Sequence, residues 1–182
     1  MKILLVVDAQ NDFVTGALAN PEAQKVVTTL HNKVVRRLEE GWKLVFTQDT
    51  HWAGTYFTTM EGKCLPVPHC LDESDGWQII PELEEFVETH WRLIKHRFGD
   101  IHLYERLEEC FLDDLSKEPI EEIELVGFCT DICVVSNALI LKSSVYGENT
   151  VISCDSSCCA GTTVEAHEAA LKVMESCQVR VS

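Results

Sequence analysis

Positive charge is scarce in this sequence. Lysine and arginine together number 15 against 30 aspartates and glutamates, a formal net charge of -15 at neutral pH. A surface of that sign repels nucleic-acid phosphates and anionic lipid, so neither nucleic acid nor a membrane surface is expected as a partner. Proline (5) and glycine (9) are also sparse, and with 46% hydrophobic and 25% charged residues the composition excludes collagenous, disordered and low-complexity classes. The nine glycines form neither a G-x-G-x-x-G nor a G-x-x-x-x-G-K-[ST] segment, which removes the common signatures of dinucleotide and nucleoside triphosphate binding. Long apolar runs are missing as well. A membrane span needs ~18 consecutive apolar residues, and even the apolar region from Ile132 to Leu141 contains Cys133, Ser136 and Asn137. The apolar start, Ile3 to Val7, is cut by Asp8 well short of a secretory core, and it reads as a buried strand.

What is present is a chain of 182 residues, the length of one domain, read here as a single domain over 1–182. The nine cysteines are odd in number and follow no secretory signal, so reduced thiols in a cytoplasmic protein are expected rather than a disulfide framework.

Strand and helix signals alternate along the chain. After the first strand, Asn20-Pro21 opens a helix with a capping residue and a proline at the first helical position, and Gly41 closes it. Val26, Leu30, Val34 and Leu38 recur every four residues as its expected inner face. Further strands are expected at Lys43–Thr47, Trp91–Lys95, Glu122–Gly127, Val151–Cys154 and Val179–Val181. Helices are expected over Pro81–Glu88, Leu103–Leu115, Asp131–Tyr146 and Thr163–Cys177. Such alternation implies βαβ units with right-handed crossovers, an α/β doubly wound fold whose parallel sheet is covered on both faces. One long irregular stretch interrupts it, at about residues 48–77, and a loop of that length in a compact domain is usually functional.

Ligands of open α/β sheets bind beyond the carboxyl ends of the strands, so the residues standing there are the candidates. They are Asp8 after the first strand, Asp49 and His51 after the second, Lys95 at the end of the third, Cys129 and Cys133 after the fourth, and Asp155 after the fifth. A carboxylate, a lysine and a cysteine converging there form a nucleophilic set, because a thiol needs a proton acceptor and a positive neighbour to act as thiolate. Thr130 is a natural N-cap that would place Cys133 in a first helical turn, where the dipole favours a thiolate and the Cys133 amide could face an oxyanion. The alternative is a buried structural cysteine, which the position at a strand end disfavours. In the long loop, Asp49, His51, Glu61 and His69 offer mixed oxygen and nitrogen donors suited to Zn, Fe(II) or Mn(II), the alternative being a solvated loop.

These residues resemble a known family. The segments Val7-Asp8-Ala9-Gln10-Asn11-Asp12-Phe13, Gln48-Asp49-Thr50-His51, Pro68-His69-Cys70, Lys95-His96-Arg97-Phe98 and Gly127-Phe128-Cys129-Thr130-Asp131-Ile132-Cys133 are similar to those of the isochorismatase-like cysteine hydrolases, and within them most to the nicotinamidases. The resemblance spans nearly the whole chain. It implies a three-layer fold with six parallel strands in the order 3-2-1-4-5-6 and a catalytic triad of Asp8, Lys95 and Cys133. It also implies a non-proline cis peptide between Phe128 and Cys129, with the amides of Cys129 and Cys133 as the oxyanion hole. One divalent metal is implied on the loop, zinc first with iron or manganese open, held by Asp49, His51 and His69 with Glu61 as a fourth ligand. Retention of Cys133 points to amide hydrolysis, and the metal residues point to nicotinamide as the small carboxamide substrate. The alternative is a metal-independent member acting on another small amide, carbamoyl or ureido group.

There are departures from the pattern. Nicotinamidases place an aromatic three residues before the metal-loop histidine, where this chain has Pro66 preceded by Leu65, leaving Phe13 as the aromatic candidate for substrate binding. Cys64 and Cys70 beside His69 admit a thiolate-containing zinc site, and Cys129 adds a second thiol near the oxyanion hole. Homo-oligomerisation is expected because it is common for such folds.

Overall fold

The computed structural model describes residues 1–87, 90–111, 118–145 and 147–182. Its elements run β1 (Lys2–Val7), α1 (Asn11–Val14), α2 (Pro21–Glu39), β2 (Lys43–Asp49), α3 (Met60–Cys64), α4 (Glu84–Val87) and β3 (Trp91–Lys95), followed by α5 (Leu103–Glu109), β4 (Glu122–Phe128), α6 (Val135–Ser143), β5 (Val151–Ala160), α7 (Val164–Ser176) and β6 (Arg180–Val181). All strand pairings are parallel and the sheet order is β3-β2-β1-β4-β5-β6. Ile3 to Val7 are at most 1% exposed although successive side chains point to opposite faces. Both faces of the sheet are therefore covered, as the uninterrupted apolar run requires.

Local chemistry sets the boundaries. The Asn20 side chain accepts the Glu22 amide at 2.9 Å to cap α2. Gly41 takes φ +82 at the other end, with its amide on Leu38 and that of Trp42 on Arg37, a Schellman closure. The buried face of α2 is Ala23, Val27, Leu30, Lys33 and Val34, rotated from the expected stripe so that Val26 and Leu38 sit at its edge. The charge network beneath explains the rotation. Lys33 is only 5% exposed, with its Nζ 2.8 Å from Glu124 Oε1 and 2.6 Å from Asp155 Oδ2. Arg37 clasps the same Glu124 at 2.7 and 2.9 Å.

That network also corrects the reading of the fifth strand. Cys154 pairs with Leu125 but Cys159 pairs with Gly127, so four residues of β5 stand opposite Val126 alone and the strand continues to Ala160. Asp155 thus lies in a bulge and serves Lys33, away from the sheet end where a site residue would stand. Replacing Lys33 by Met should cost about 3 kcal/mol, because it leaves the Asp155 carboxylate without its cation and Glu124 with Arg37 alone. Urea denaturation of the variant measures this.

Other boundaries shift modestly. The second strand extends to Asp49, and the short helix expected at Pro81–Glu88 divides into a 3-10 turn (Pro81–Leu83) and α4, with Glu88 outside the described residues. The helix expected over Leu103–Leu115 is α5, ending at Glu109; residues 112–115 lie outside the described residues, as does Tyr146 of the helix expected over Asp131–Tyr146. The long loop carries a 3-10 turn (Tyr56–Thr58) and α3. Among the described residues no helix is long and apolar enough to cross a membrane.

Candidate functional site

Four adjacent strands end at one place. Gly127 in β4, at φ +115, lies so close to β1 that a Cβ there would fall 2.1 Å from the Val7 carbonyl oxygen. Its neighbour Asp8 leaves β1 at φ +46, with its backbone amide bonded to Thr47 of β2 and its Oδ1 accepting the Thr47 hydroxyl at 2.7 Å. Lys95, the last residue of β3, reaches inward across β2. Its Nζ stands 2.7 Å from Asp8 Oδ2 and 3.2 Å from Asp49 Oδ1. It also donates to the Arg97 carbonyl at 3.1 Å and to Cys133 Sγ at 3.5 Å. Asp8, Lys95 and Cys133 are 0%, 3% and 4% exposed, so this is a water-poor cluster in which each charge is felt by the others. The peptide between Phe128 and Cys129 is cis.

Burial penalises the Lys95 cation, but Asp8, Cys133 and Asp49 outweigh that cost and hold the ammonium charged well beyond the usual range. Burial raises the Asp8 carboxyl against the pull of Lys95. The Cys133 thiol is raised first by burial, opposed by Lys95 and reinforced by Asp8 and Asp49. The Asp8 carboxyl stands beside the thiol as the group placed to take its proton. The helix start differs from the expected one. Thr130 to Val134 form a π turn before α6, and its cap residue is Cys129; the Thr130 hydroxyl lies 2.8 Å from His167 instead of capping the turn.

On the other side of Asp49 stands a cluster of donors. One ligand atom from each of Asp49, His51, Glu61 and His69 lies within 4.8 Å of all the others. His51 Nε2 is 2.9 Å from Asp49 Oδ2 and 3.5 Å from Glu61 Oε1, while His69 Nε2 is 3.7 and 3.6 Å from those same oxygens. His69 Nδ1 sits 3.0 Å from the Val67 carbonyl, an acceptor that fixes a proton on that nitrogen and turns the Nε2 lone pair toward the cluster. Two imidazoles and two carboxylates in this disposition fit a divalent ion such as Zn²⁺. Burial opposes ionisation of Glu61, but His51 and His69 overcome it and draw its carboxyl down to about 2. Cys64 is exposed, and the Cys70 thiol is pushed up by burial; neither joins the cluster, so a thiolate-containing site is not what this loop builds.

A cavity of about 520 Å³ is walled by Phe13, Leu65, Cys129 and Ile132 among others, residues that neighbour the two clusters without belonging to them. The Phe13 ring meets His69 edge-on at 5.8 Å between centroids. Leu65 also lines the cavity, and Pro66 is not among the lining residues.

Several positioning groups escaped the sequence reading. The Gln10 side chain brackets the backbone of Asp49, donating to its carbonyl at 2.9 Å and accepting its amide at 2.8 Å. Asp12 Oδ2 accepts the Cys70 amide at 2.7 Å, pinning the loop at a residue with φ +44 next to His69. The Tyr56 hydroxyl reaches His69 Nδ1 at 3.1 Å and the Leu65 and Val67 carbonyls at 2.8 Å each. Gln10 and Asp12 lie inside a segment already singled out, so their polarity next to an apolar strand was the available signal. Tyr56 gave none.

Known proteins share this architecture. The family model of the isochorismatase domain matches residues 2–182. The nicotinamidase of Escherichia coli (strain K12) is 28% identical over 201 residues, spanning 96% of this chain and 90% of its own. The crystal structure of nicotinamidase/pyrazinamidase PncA from Bacillus subtilis superposes with a TM-score of 0.82 at 25% identity, covering 100% of this chain and 98% of that one. The pyrazinamidase of Pyrococcus horikoshii, solved in complex with zinc, has the same fold, with a TM-score of 0.77, 23% identity and coverage of 100% and 98%. With a family model matched from the second residue to the last and the strand-end cluster in place, this chain belongs to the isochorismatase family.

Proposed function

We propose that the protein is a cytoplasmic, metal-dependent cysteine amidohydrolase that converts nicotinamide to nicotinate and ammonia within a single domain. One observation carries the reading: Asp49 offers one carboxylate oxygen to Lys95 of the nucleophile cluster and the other to His51 of the donor cluster, so both groups share a wall. Asp49, His51, Glu61 and His69 would hold the ion, zinc first. When bound, it supplies a Lewis acid that accepts a ring nitrogen and orients the substrate.

The protein's own residues carry the chemistry. Phe13 flanks the ring from the cavity wall. Asp8 accepts the Cys133 proton, and the thiolate forms a bond to the carboxamide carbon while the carbonyl π pair moves onto oxygen. The backbone amides of Cys129 and Cys133 receive that oxyanion. The tetrahedral adduct collapses as Asp8 returns the proton to nitrogen, breaking the C–N bond and releasing ammonia. Asp8 then takes a proton from water, which adds to the thioester; collapse expels the Cys133 sulfur, and the proton returns to it. Lys95 keeps its charge throughout and balances the negative charge as it passes between Asp8 and Cys133.

Ammonia release from nicotinamide by the purified, reduced protein tests the reading. His69→Ala should lower bound metal below one ion per chain, as measured by elemental analysis, and lower turnover by more than about 10-fold. Full turnover at zero bound metal would instead favour a metal-independent amidohydrolase, the reading that the Leu65 wall supports.

A further inference from the structure

The turn that carries the nucleophile is clamped from outside by side chains that the reaction above does not use. Inside the turn, the amides of Ile132 and Val134 both close on the Cys129 carbonyl at 3.1 Å. From outside, Asp131 Oδ2 accepts the Thr162 hydroxyl at 2.6 Å and its Oδ1 accepts the Thr162 amide at 2.8 Å. Thr130 Oγ1 lies 2.8 Å from His167 Nδ1 in the first turns of α7, so two consecutive residues of the turn are tied to one loop and the helix it leads into. That loop is anchored in turn. The Gly161 carbonyl accepts the buried Asn20 side-chain Nδ2 at 2.7 Å, and a Cβ at Gly161 would fall 2.9 Å from Asp131 Oδ1 and 2.8 Å from the His167 backbone nitrogen. A glycine is what lets loop and turn come this close.

We propose that Asp131 and His167 are positioning residues which hold the oxyanion-binding amides of Cys129 and Cys133 in register with the substrate carbonyl, leaving the reactivity of the sulfur itself to Asp8 and Lys95. The clamp bears on the residues between Cys129 and Cys133, whereas the thiol takes its proton acceptor and its cation from β1 and β3. Amide placement and sulfur activation are thus controlled from opposite sides of the site. The inference rests on the cysteine-hydrolase reading above but not on nicotinamide as the substrate.

Two probes separate the roles. Acylation by p-nitrophenyl acetate passes through an oxyanion at the carbonyl, whereas alkylation by iodoacetamide displaces iodide at a saturated carbon and needs only the thiolate. In Asp131→Ala, the p-nitrophenol burst should slow by ~10- to 100-fold, the range expected when donors shift by a fraction of an ångström to an ångström. Alkylation of Cys133, followed by peptide mapping, should stay within about 2-fold of the parent rate, since the sulfur's own partners are untouched. Asp131→Asn keeps an acceptor for the Thr162 amide and should fall between the two. His167→Ala should show the same split between probes, and KM for the ester should move less than kcat in each variant. An unchanged burst, or equal slowing of both probes in Asp131→Asn and Asp131→Ala alike, overturns the proposal. A parent protein that shows the burst yet releases no ammonia from nicotinamide sinks the substrate reading alone and leaves this one standing.

Discussion

Cys133→Ala should eliminate nicotinamide turnover, with a loss on the order of 10⁴-fold or more, as expected when the only covalent nucleophile is removed. The fold should survive. Cys133 is 4% exposed, and losing its sulfur costs about 1 kcal/mol of packing and contact, a minor change against the stability of a domain of this size. Single-turnover ammonia release together with a urea melt separates the two effects. Activity above a few per cent in this variant would move the nucleophile elsewhere, with the neighbouring thiol of Cys129 as the first place to look. Its proton is held by burial, and Asp131 and Asp8 reinforce that more than Lys95 relieves it, so Cys129 is a poor substitute.

Asp8→Asn should reduce kcat/KM by about 10³-fold, within the range that a positioned general base supplies. The amide is nearly isosteric but cannot take the Cys133 proton, and it removes one of the two carboxylates that compensate Lys95. The pH profile sharpens the prediction. Burial lifts the Asp8 carboxyl above the ordinary range. As pH falls through that raised value the carboxylate gains a proton and ceases to be a base, so the acid limb of kcat/KM should lie above the usual carboxylate range. The Asn variant should lose that limb along with its rate. A variant that keeps both would mean that Asp8 serves only to balance Lys95.

Much of this site is legible in the sequence, for a physical reason. In a doubly wound parallel sheet, strand ends gather at one edge, so short polar motifs that directly follow apolar runs must converge there. That rule places Asp8, Asp49, Lys95 and Cys133 together without knowledge of a single distance. It failed for Asp155, because the bulge that draws the carboxylate toward Lys33 depends on a cation from α2, over a hundred residues away in sequence. It also misplaced the cap of the nucleophile turn, which is Cys129 and not Thr130. A cap is read from neighbours along the chain, whereas the Thr130 hydroxyl is engaged by His167 from α7, a partner distant in sequence. The rotation of α2 failed likewise, since a strict apolar period cannot foresee that a lysine will be buried in exchange for an ion pair.

The sequence by itself determined the alternation of strands and helices, the α/β class and the residue types available at each strand end. These follow from hydrophobic period and chain connectivity, which are properties of neighbours along the chain. Only the tertiary structure decided which oxygen of Asp49 faces Lys95 and which faces His51, that Leu65 rather than Pro66 walls the cavity, and that Asp131 and His167 clasp the nucleophile turn. Those are contacts between segments far apart in sequence, set by how the layers pack and by where buried charge finds compensation.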